Sequence, residues 1–275
     1  MPSKPRLGQN FLRDTQAIER IANALGDLSA ETVIEIGPGQ GAITRALAAR
    51  AAHVIAIELD RELALYLRSE FPVERVRVVE ADVLNFDFAA AAAEAGKRLP
   101  IAGNLPYYIT SPILLKLAQH HAALHRAVLM VQREMSDRIV AAPGSRDYGV
   151  LSVTVQMYGP VEPLFTLPPG AFSPPPDVYS TVFRWRFAPR FAELGVEEAG
   201  FLRFVRQVFA QKRKTLANNL RSAGYAPASV VESLARAGVP AQARAEALSL
   251  QDLAGLWIEL QKRGAAPATG AALTG

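Results

Sequence analysis

Four adjacent residues, Asn104-Leu105-Pro106-Tyr107, bring together the groups needed to hold an exocyclic amine against a flat ring. An Asn side-chain oxygen and a nearby main-chain carbonyl can both accept hydrogen bonds from one –NH2 group. Proline stiffens the turn and so holds the Leu105 carbonyl at a fixed angle. Tyr107 then offers a face on which a base can stack. On these four residues alone the ordinary alternative stays open, because Asn-x-Pro before an aromatic is also common turn chemistry. The choice depends on whether the chain also supplies something for an amine to react with.

A second group of residues points to that supply. Gly37, Gly39 and Gly41 follow a short apolar run and precede a helix-like one, where glycines permit a tight turn and close approach of backbone N–H groups to a ligand. Their spacing is Gly-x-Gly-x-Gly rather than the Gly-x-Gly-x-x-Gly of dinucleotide binders, which favours a ligand without a pyrophosphate. Glu58 ends the next apolar run about 20 residues on, where an acid can accept both hydroxyls of a ribose. Asp82 ends the third run and is placed for an adenine amino group. Each acid by itself could be a plain strand-end charge; taken with the glycine loop, the two read as a nucleoside site.

Such a pair of sites would set a nucleoside ligand beside an amine, so the amine is the group to be activated. An aromatic amine is a poor nucleophile because its lone pair is delocalised into the ring. Two acceptors, the Asn104 side chain and the Leu105 carbonyl, would hold its hydrogens and favour a pyramidal nitrogen, so that catalysis is positioning plus electrostatics. No strong base is required. None is visible: His53, His120, His121 and His125 form no convincing His–acid pair, and the chain has no cysteine nucleophile. A base inside a stacked helix cannot reach such a pocket, so the target must be splayed out and stacked, with Tyr107 as one wall.

The elements that must carry these residues alternate in kind. Residues 32–37, 53–59, 75–82, 100–104 and 126–132 read as strands, with helix-like segments at 42–51 and 61–71 between them. Such alternation implies an α/β fold with right-handed crossovers and a mostly parallel sheet. Residues 150–158 and 180–187 read as two further strands on either side of a proline-rich stretch, 160–176. A seam falls near Ala188-Pro189, after which 201–223, 228–237 and 250–262 read as helices. The expected division is a sheet domain over 1–188, a small all-helical domain over 189–263 and a loose tail over 264–275.

Half of the 275 residues are hydrophobic, enough for a sizeable core. The absence of cysteine excludes a disulfide framework and a thiolate metal site, and fits the cytoplasm. No signal peptide or membrane span is readable, and no metal site is expected. The net charge of +4 favours an anionic partner only weakly, but its distribution says more. Residues 201–225 contain no acid and six bases. On one continuous helix, Arg203, Arg206, Arg213, Lys214 and Arg221 share a face opposite Phe201, Phe204, Val205, Val208 and Leu216, while Lys212 projects from the apolar arc. That face reads as a surface tracking RNA phosphates.

The motifs together resemble the ribosomal RNA adenine N6-dimethyltransferase family. Those that carry the resemblance are Gly8-Gln9-Asn10-Phe11-Leu12, Glu35-Ile36-Gly37-Pro38-Gly39, Ile57-Glu58-Leu59-Asp60, Ala81-Asp82 and Asn104-Leu105-Pro106-Tyr107. Further matches are Pro143-Gly144-Ser145, Tyr148-Gly149, Ala171-Phe172-Ser173-Pro174-Pro175-Pro176, Gln211-Lys212-Arg213-Lys214-Thr215-Leu216 and Arg244-Ala245-Glu246. The resemblance runs from residue 7 to residue 262 and is nearest to the bacterial small-subunit (16S) dimethyladenosine transferases. It implies a class I, Rossmann-like S-adenosylmethionine methyltransferase fold with a seven-stranded sheet, and dimethylation of adenosines in small-subunit ribosomal RNA by a monomer.

By the same resemblance Asn10, Leu12, Gly37, Gly39, Glu58, Asp82 and Asn104 hold S-adenosylmethionine, and Phe172 is the second wall of the target-base pocket. The sequence departs from the family pattern twice. Tyr108 stands where some members have Asn, and Asp177-Val178-Tyr179-Ser180 stands where many have Lys-Val-Asp-Ser. The rival readings are a large-subunit (23S) methyltransferase that confers antibiotic resistance, a nicotinamide-dependent oxidoreductase and a non-enzymatic ribosome assembly factor.

Overall fold

A computed structural model describes residues 10–263. Gly8, Gln9 and the tail expected over 264–275 lie outside the described residues. The chain begins with β1 (Phe11–Leu12) and α1 (Thr15–Ala24), the latter capped by Asp14, whose side chain accepts from the Ala17 N–H. Then follow β2 (Thr32–Ile36), α2 (Ala42–Ala48), β3 (His53–Glu58), α3 (Arg61–Glu70) and β4 (Val76–Glu80). Asp60 starts α3 by accepting from the Glu62 and Leu63 N–H groups. Next come α4 (Phe88–Ala95), β5 (Leu99–Asn104), α5 (Thr110–Gln119), β6 (Leu124–Gln132), α6 (Arg133–Val140) and α7 (Val150–Met157). β7 (Val161–Leu167), β8 (Phe172–Ser173) and β9 (Ser180–Arg186) complete the strands. The last helices are α8 (Glu198–Val208), α9 (Leu216–Ser222), α10 (Pro227–Arg236) and α11 (Leu250–Lys262).

Seven strands form one sheet in the order β4-β3-β2-β5-β6-β9-β7. The first five are parallel to one another; β9 runs antiparallel to β6 and to β7. The sheet is mostly parallel, as the alternation implied, and seven-stranded, as the resemblance implied. Its central strands are mostly buried and largely apolar, as expected of strands covered on both faces. A separate two-stranded piece pairs β1 with β8, setting Leu12 opposite Phe172 and Phe11 opposite Ser173. The Ala171 carbonyl also accepts from the Arg13 N–H, so the N-terminal segment is tied to a segment far along the chain.

Two elements differ from expectation. Residues 150–158 are not a strand: they form α7. No residue there is exposed, so the run lacks the exposed positions whose spacing separates period two from period 3.6. What decides is polar satisfaction. Gln156 Nε2 donates to the Ile139 and Ala141 carbonyls, and Ser152 Oγ to the Arg138 carbonyl, which serves the backbone at the end of α6. The remaining strand is β7, inside the proline-rich stretch. Pro163 is accepted there because β7 is an edge strand, and the register shifts between Pro163 and Phe165.

Residues 201–223 are likewise not one helix. The helix stops at Val208 and restarts at Leu216, where Thr215 caps α9 by accepting from the Asn218 N–H at 3.3 Å. The buried Asn219 holds the break, donating from Nδ2 to the Val208 carbonyl at 2.7 Å and the Gln211 carbonyl at 3.2 Å.

The chain divides into two compact units. One comprises residues up to 137 with 158–188, the other 138–157 with those from 189 onward. One boundary of this division falls at residue 188, and residues 138–157 group with the helical unit. In the sheet unit the core gathers Val33, Val54, Ala102 and Val128 with Ile21 and Leu47. In the helical unit Phe201, Phe204, Val205, Leu220, Val230, Leu253 and Leu256 are buried, and Phe204 packs on Trp257 with ring centroids 5.5 Å apart.

Candidate active site

Register alone brings the sequence-predicted residues together. Ile36 lies beside Ile57 and beside Gly103, so the residues that follow, Gly37, Glu58 and Asn104, stand in a row at the carboxyl edge of the sheet. Asp82 comes two residues after Glu80, which pairs with Glu58. Parallel α/β sheets bind ligands at this edge. An open cavity there holds about 1040 Å³ of empty space, part of it open to solvent. Asn10, Leu12, Gly37, Gly39, Glu58, Asp82, Asn104, Leu105, Pro106 and Tyr107 all line it. Every one of these residues belongs to the sheet unit.

The glycine loop is shaped by backbone conformations that side chains resist. Gly37 and Gly39 have φ of 64° and 56°. A Cβ on Gly39 would lie 2.9 Å from the Phe11 ring, and one on Gly37 would lie 3.4 Å from the Asn104 carbonyl oxygen. The loop therefore leaves no room for a side chain where Gly39 meets β1, and at Gly37 the backbone conformation rather than contact resists one.

Glu58 is held by main chain on both oxygens. Oε2 accepts from the Gly39 N–H at 3.0 Å and Oε1 from the Asp60 N–H at 2.9 Å, while burial pushes its pKa up. Each oxygen keeps a further lone pair for a ligand hydroxyl. Asp82 Oδ1 accepts from the Leu84 N–H at 2.9 Å, starting a short 3-10 turn over Val83–Asn85. Both acids are thus oriented by backbone before any ligand arrives.

Asn104 has its amide orientation set from outside the motif. Its Nδ2 donates to the Asn10 carbonyl at 3.0 Å, which leaves Oδ1 as the acceptor. The Leu105 N–H donates to the Met130 carbonyl at 3.0 Å; among the described residues nothing donates to the Leu105 carbonyl. Thr110 Oγ1 donates to the Pro106 carbonyl at 3.0 Å, linking the motif to α5. The Tyr107 hydroxyl and Ser180 Oγ lie 2.8 Å apart, so the ring is braced by β9, and burial raises the pKa of the phenol.

Phe172 is 4% exposed and is not among the residues that line this cavity; it packs in the same apolar cluster as Leu12, which does line it. Its pairing opposite Leu12 turns the residue into a brace for β1. Nor do the five basic residues share one helix face: Arg203 and Arg206 lie on α8, Arg213 and Lys214 in the turn after it, and Arg221 on α9. All five are exposed. Lys212 is not on an apolar arc; its Nζ donates to the Arg146 carbonyl at 2.9 Å.

Glu35 also lines the cavity, although its place in the Glu35–Gly39 motif assigned it no role. It sits in β2, 1% exposed, with Oε2 lacking a hydrogen-bond partner among the described residues. Burial pushes its pKa up to about 8. The signal in the sequence is an acid inside the otherwise apolar run Val33-Ile34-Glu35-Ile36. No group of three or more acids, histidines or cysteines suited to a metal ion occurs among the described residues, and no helix among them is long and apolar enough to cross a membrane.

Comparison with known proteins agrees with this geometry. The family model described as ribosomal RNA adenine dimethylase matches residues 2–262. The chain belongs to that family. Ribosomal RNA small subunit methyltransferase A from Acidobacterium capsulatum is 59% identical over 261 residues, covering 94% of this chain and 92% of the relative. The protein of the same name from Koribacter versatilis is 49% identical, covering 94% and 95%. Among solved structures, a dimethyladenosine transferase from Plasmodium falciparum superposes with a TM-score of 0.79 at 23% identity, covering 93% of this chain and 98% of that one. The 23S rRNA methyltransferase ErmE superposes with a TM-score of 0.69 at 26% identity, covering 92% and 100%. The family's fold accounts for the sheet order and for the placement of the glycine loop at its edge.

Proposed function

We propose that this chain is an S-adenosylmethionine-dependent enzyme that converts adenosines of small-subunit ribosomal RNA to N6,N6-dimethyladenosine. The observation that carries the reading is the bond from Asn104 Nδ2 to the Asn10 carbonyl, which commits Oδ1 to accepting. An adenine N6 amine offers two hydrogens, and the cavity offers two acceptors for them, Asn104 Oδ1 and the Leu105 carbonyl. Holding both hydrogens favours a pyramidal nitrogen and localises its lone pair.

The cavity suits the cofactor on its own evidence. Glu58 presents a fixed carboxylate to ribose hydroxyls, Asp82 an acceptor to an adenine amine, and the glycine loop a surface without side chains. Asn10 and Leu12 line the same space from β1. Glu35 supplies a buried, unpartnered acidic oxygen. When bound, S-adenosylmethionine supplies an electrophilic methyl group. This chain's residues orient the amine, exclude bulk water from the inner cavity and leave the spent proton to solvent, which needs no dedicated base.

Tyr107, braced by Ser180, stacks on the target base, and Phe172 contributes by holding β8 against β1. The exposed bases Arg203, Arg206, Arg213, Lys214 and Arg221 bind RNA phosphates. The proposed enzyme acts as a monomer, and its ribosomal substrate implies the cytoplasm. The test is transfer of a labelled methyl group to isolated small subunits, large subunits and free ribosomal RNA. Label confined to the large subunit would replace this reading with the 23S one; no transfer to any would overturn it.

A further inference from the structure

Two large aromatic side chains near the cavity have no task in the chemistry described. Tyr108 lines the cavity and is 61% exposed, and Tyr179 is 50% exposed with Val178 beside it at 42%. A single exposed ring is ordinary, but an exposed ring on the wall of a cavity offers a face on which a base can stack. Neither makes a ring contact with another aromatic among the described residues.

Their positions are coupled through the catalytic motif. Tyr108 follows Tyr107, and Tyr179 precedes Ser180, and these two neighbours lie 2.8 Å apart at their hydroxyls. The Tyr179 carbonyl accepts from the Arg133 N–H at 2.9 Å, so the backbone that carries the ring is fixed at the end of β6. Both tyrosines also stand at the two places where this sequence departs from the family pattern. The second departure puts an exposed acid, Asp177, where many members carry a lysine. An acid there repels a phosphate, so this loop cannot grip RNA by charge; an aromatic face can hold a base whatever its charge.

We propose that Tyr108 and Tyr179 form a stacking platform at the cavity mouth for the unpaired nucleotides that flank the target adenosine. The platform rests on the proposed RNA-methylating function. It replaces a phosphate contact with base stacking, and it holds the strand open while the target base occupies the cavity. Its partner is single-stranded RNA adjoining the target, on the same strand.

The experiment compares wild type with Tyr108→Ala, Tyr179→Ala, the double variant and the two Tyr→Phe variants, using isolated, undermethylated small ribosomal subunits. Thermal unfolding of each variant serves as the control for folding, since both rings are at least half exposed. Loss of stacking should raise KM for the subunits and weaken their binding by about five- to a hundredfold, with a smaller change in kcat. Phe in place of Tyr should retain wild-type values, and the slope of affinity against salt should not change. Alanine variants that match wild type, a salt slope that flattens, or Phe variants as weak as Ala would each overturn the platform. Wild-type protein that transfers no methyl group would instead overturn the function on which it rests.

Discussion

Asn104 donates through Nδ2 to the carbonyl of Asn10 at 3.0 Å, a bond between residues 94 positions apart. It joins the N-terminal segment to the turn at 104–107 and decides which end of the Asn104 amide can accept. An amide free to flip would present a donor to the substrate amine half the time; this one cannot without breaking a bond to main chain.

Asn104→Asp is therefore not a conservative change. A carboxylate would face the Asn10 carbonyl with no hydrogen to offer, and Asn104→Ala would remove the acceptor. Both should lower methyl transfer by at least about a hundredfold, in the range of losing one preorganised electrostatic group. Turnover on small subunits reads the effect. Retained turnover in the alanine variant would show that Leu105 alone positions the amine.

Gly39→Ala tests the glycine loop. The backbone there has φ of 56°, and the new methyl would lie 2.9 Å from the Phe11 ring. Conformational strain costs about 1–2 kcal/mol, and the displaced Phe11 disturbs the neighbouring Asn10 carbonyl and its bond to Asn104. The expected result is a lower midpoint of denaturation together with weaker binding of S-adenosylmethionine by calorimetry. Unchanged binding would mean that the loop tolerates a side chain.

Glu35 makes stability fall as pH rises. Its pKa is about 8 in the fold against an ordinary value of 4.5. Below 4.5 both folded and unfolded chains carry the proton. Between the two values the unfolded chain releases the proton while the fold keeps it, so unfolding gains by about 1.4 kcal/mol per pH unit. Above the folded value the loss is complete. Burial raises the Glu58 pKa too, in the same direction, so the clean reading is the difference between wild type and Glu35→Gln. Urea denaturation across that window should show a shallower pH dependence in the variant; parallel curves would exclude the effect.

Arg213→Ala with Lys214→Ala tests the basic turn after α8. Removing one bond to phosphate should reduce the slope of log affinity against log salt by about 0.7–0.9, so the pair should flatten it by up to about 1.4–1.8. Filter binding of small-subunit RNA at several salt concentrations measures it. An unchanged slope would remove these two residues from the interface.

Much of the site was legible because strand ends in a parallel sheet fall on one edge, so Gly37, Glu58, Asp82 and Asn104 needed only their strands to be identified. The element at 150–157 was not legible, because a segment buried all round carries no periodic signal. β7 was hidden by Pro163, which marks an edge strand only once the sheet order is known. The break between α8 and α9 depends on Asn219 bonding to carbonyls 11 and 8 residues before it, and helical periodicity is blind to such a bond. Phe172 was placed in the site by resemblance, and no periodicity in the sequence shows that it pairs opposite the cavity residue Leu12.

The most direct measurement is the identity of the product. Small subunits treated with enzyme and S-adenosylmethionine can be digested to nucleosides and resolved by mass spectrometry. The account predicts N6,N6-dimethyladenosine from wild type and none from Asn104→Ala. Methyl groups found instead on ribose or on another base, or dimethyladenosine persisting in the Asn104→Ala digest, would contradict it.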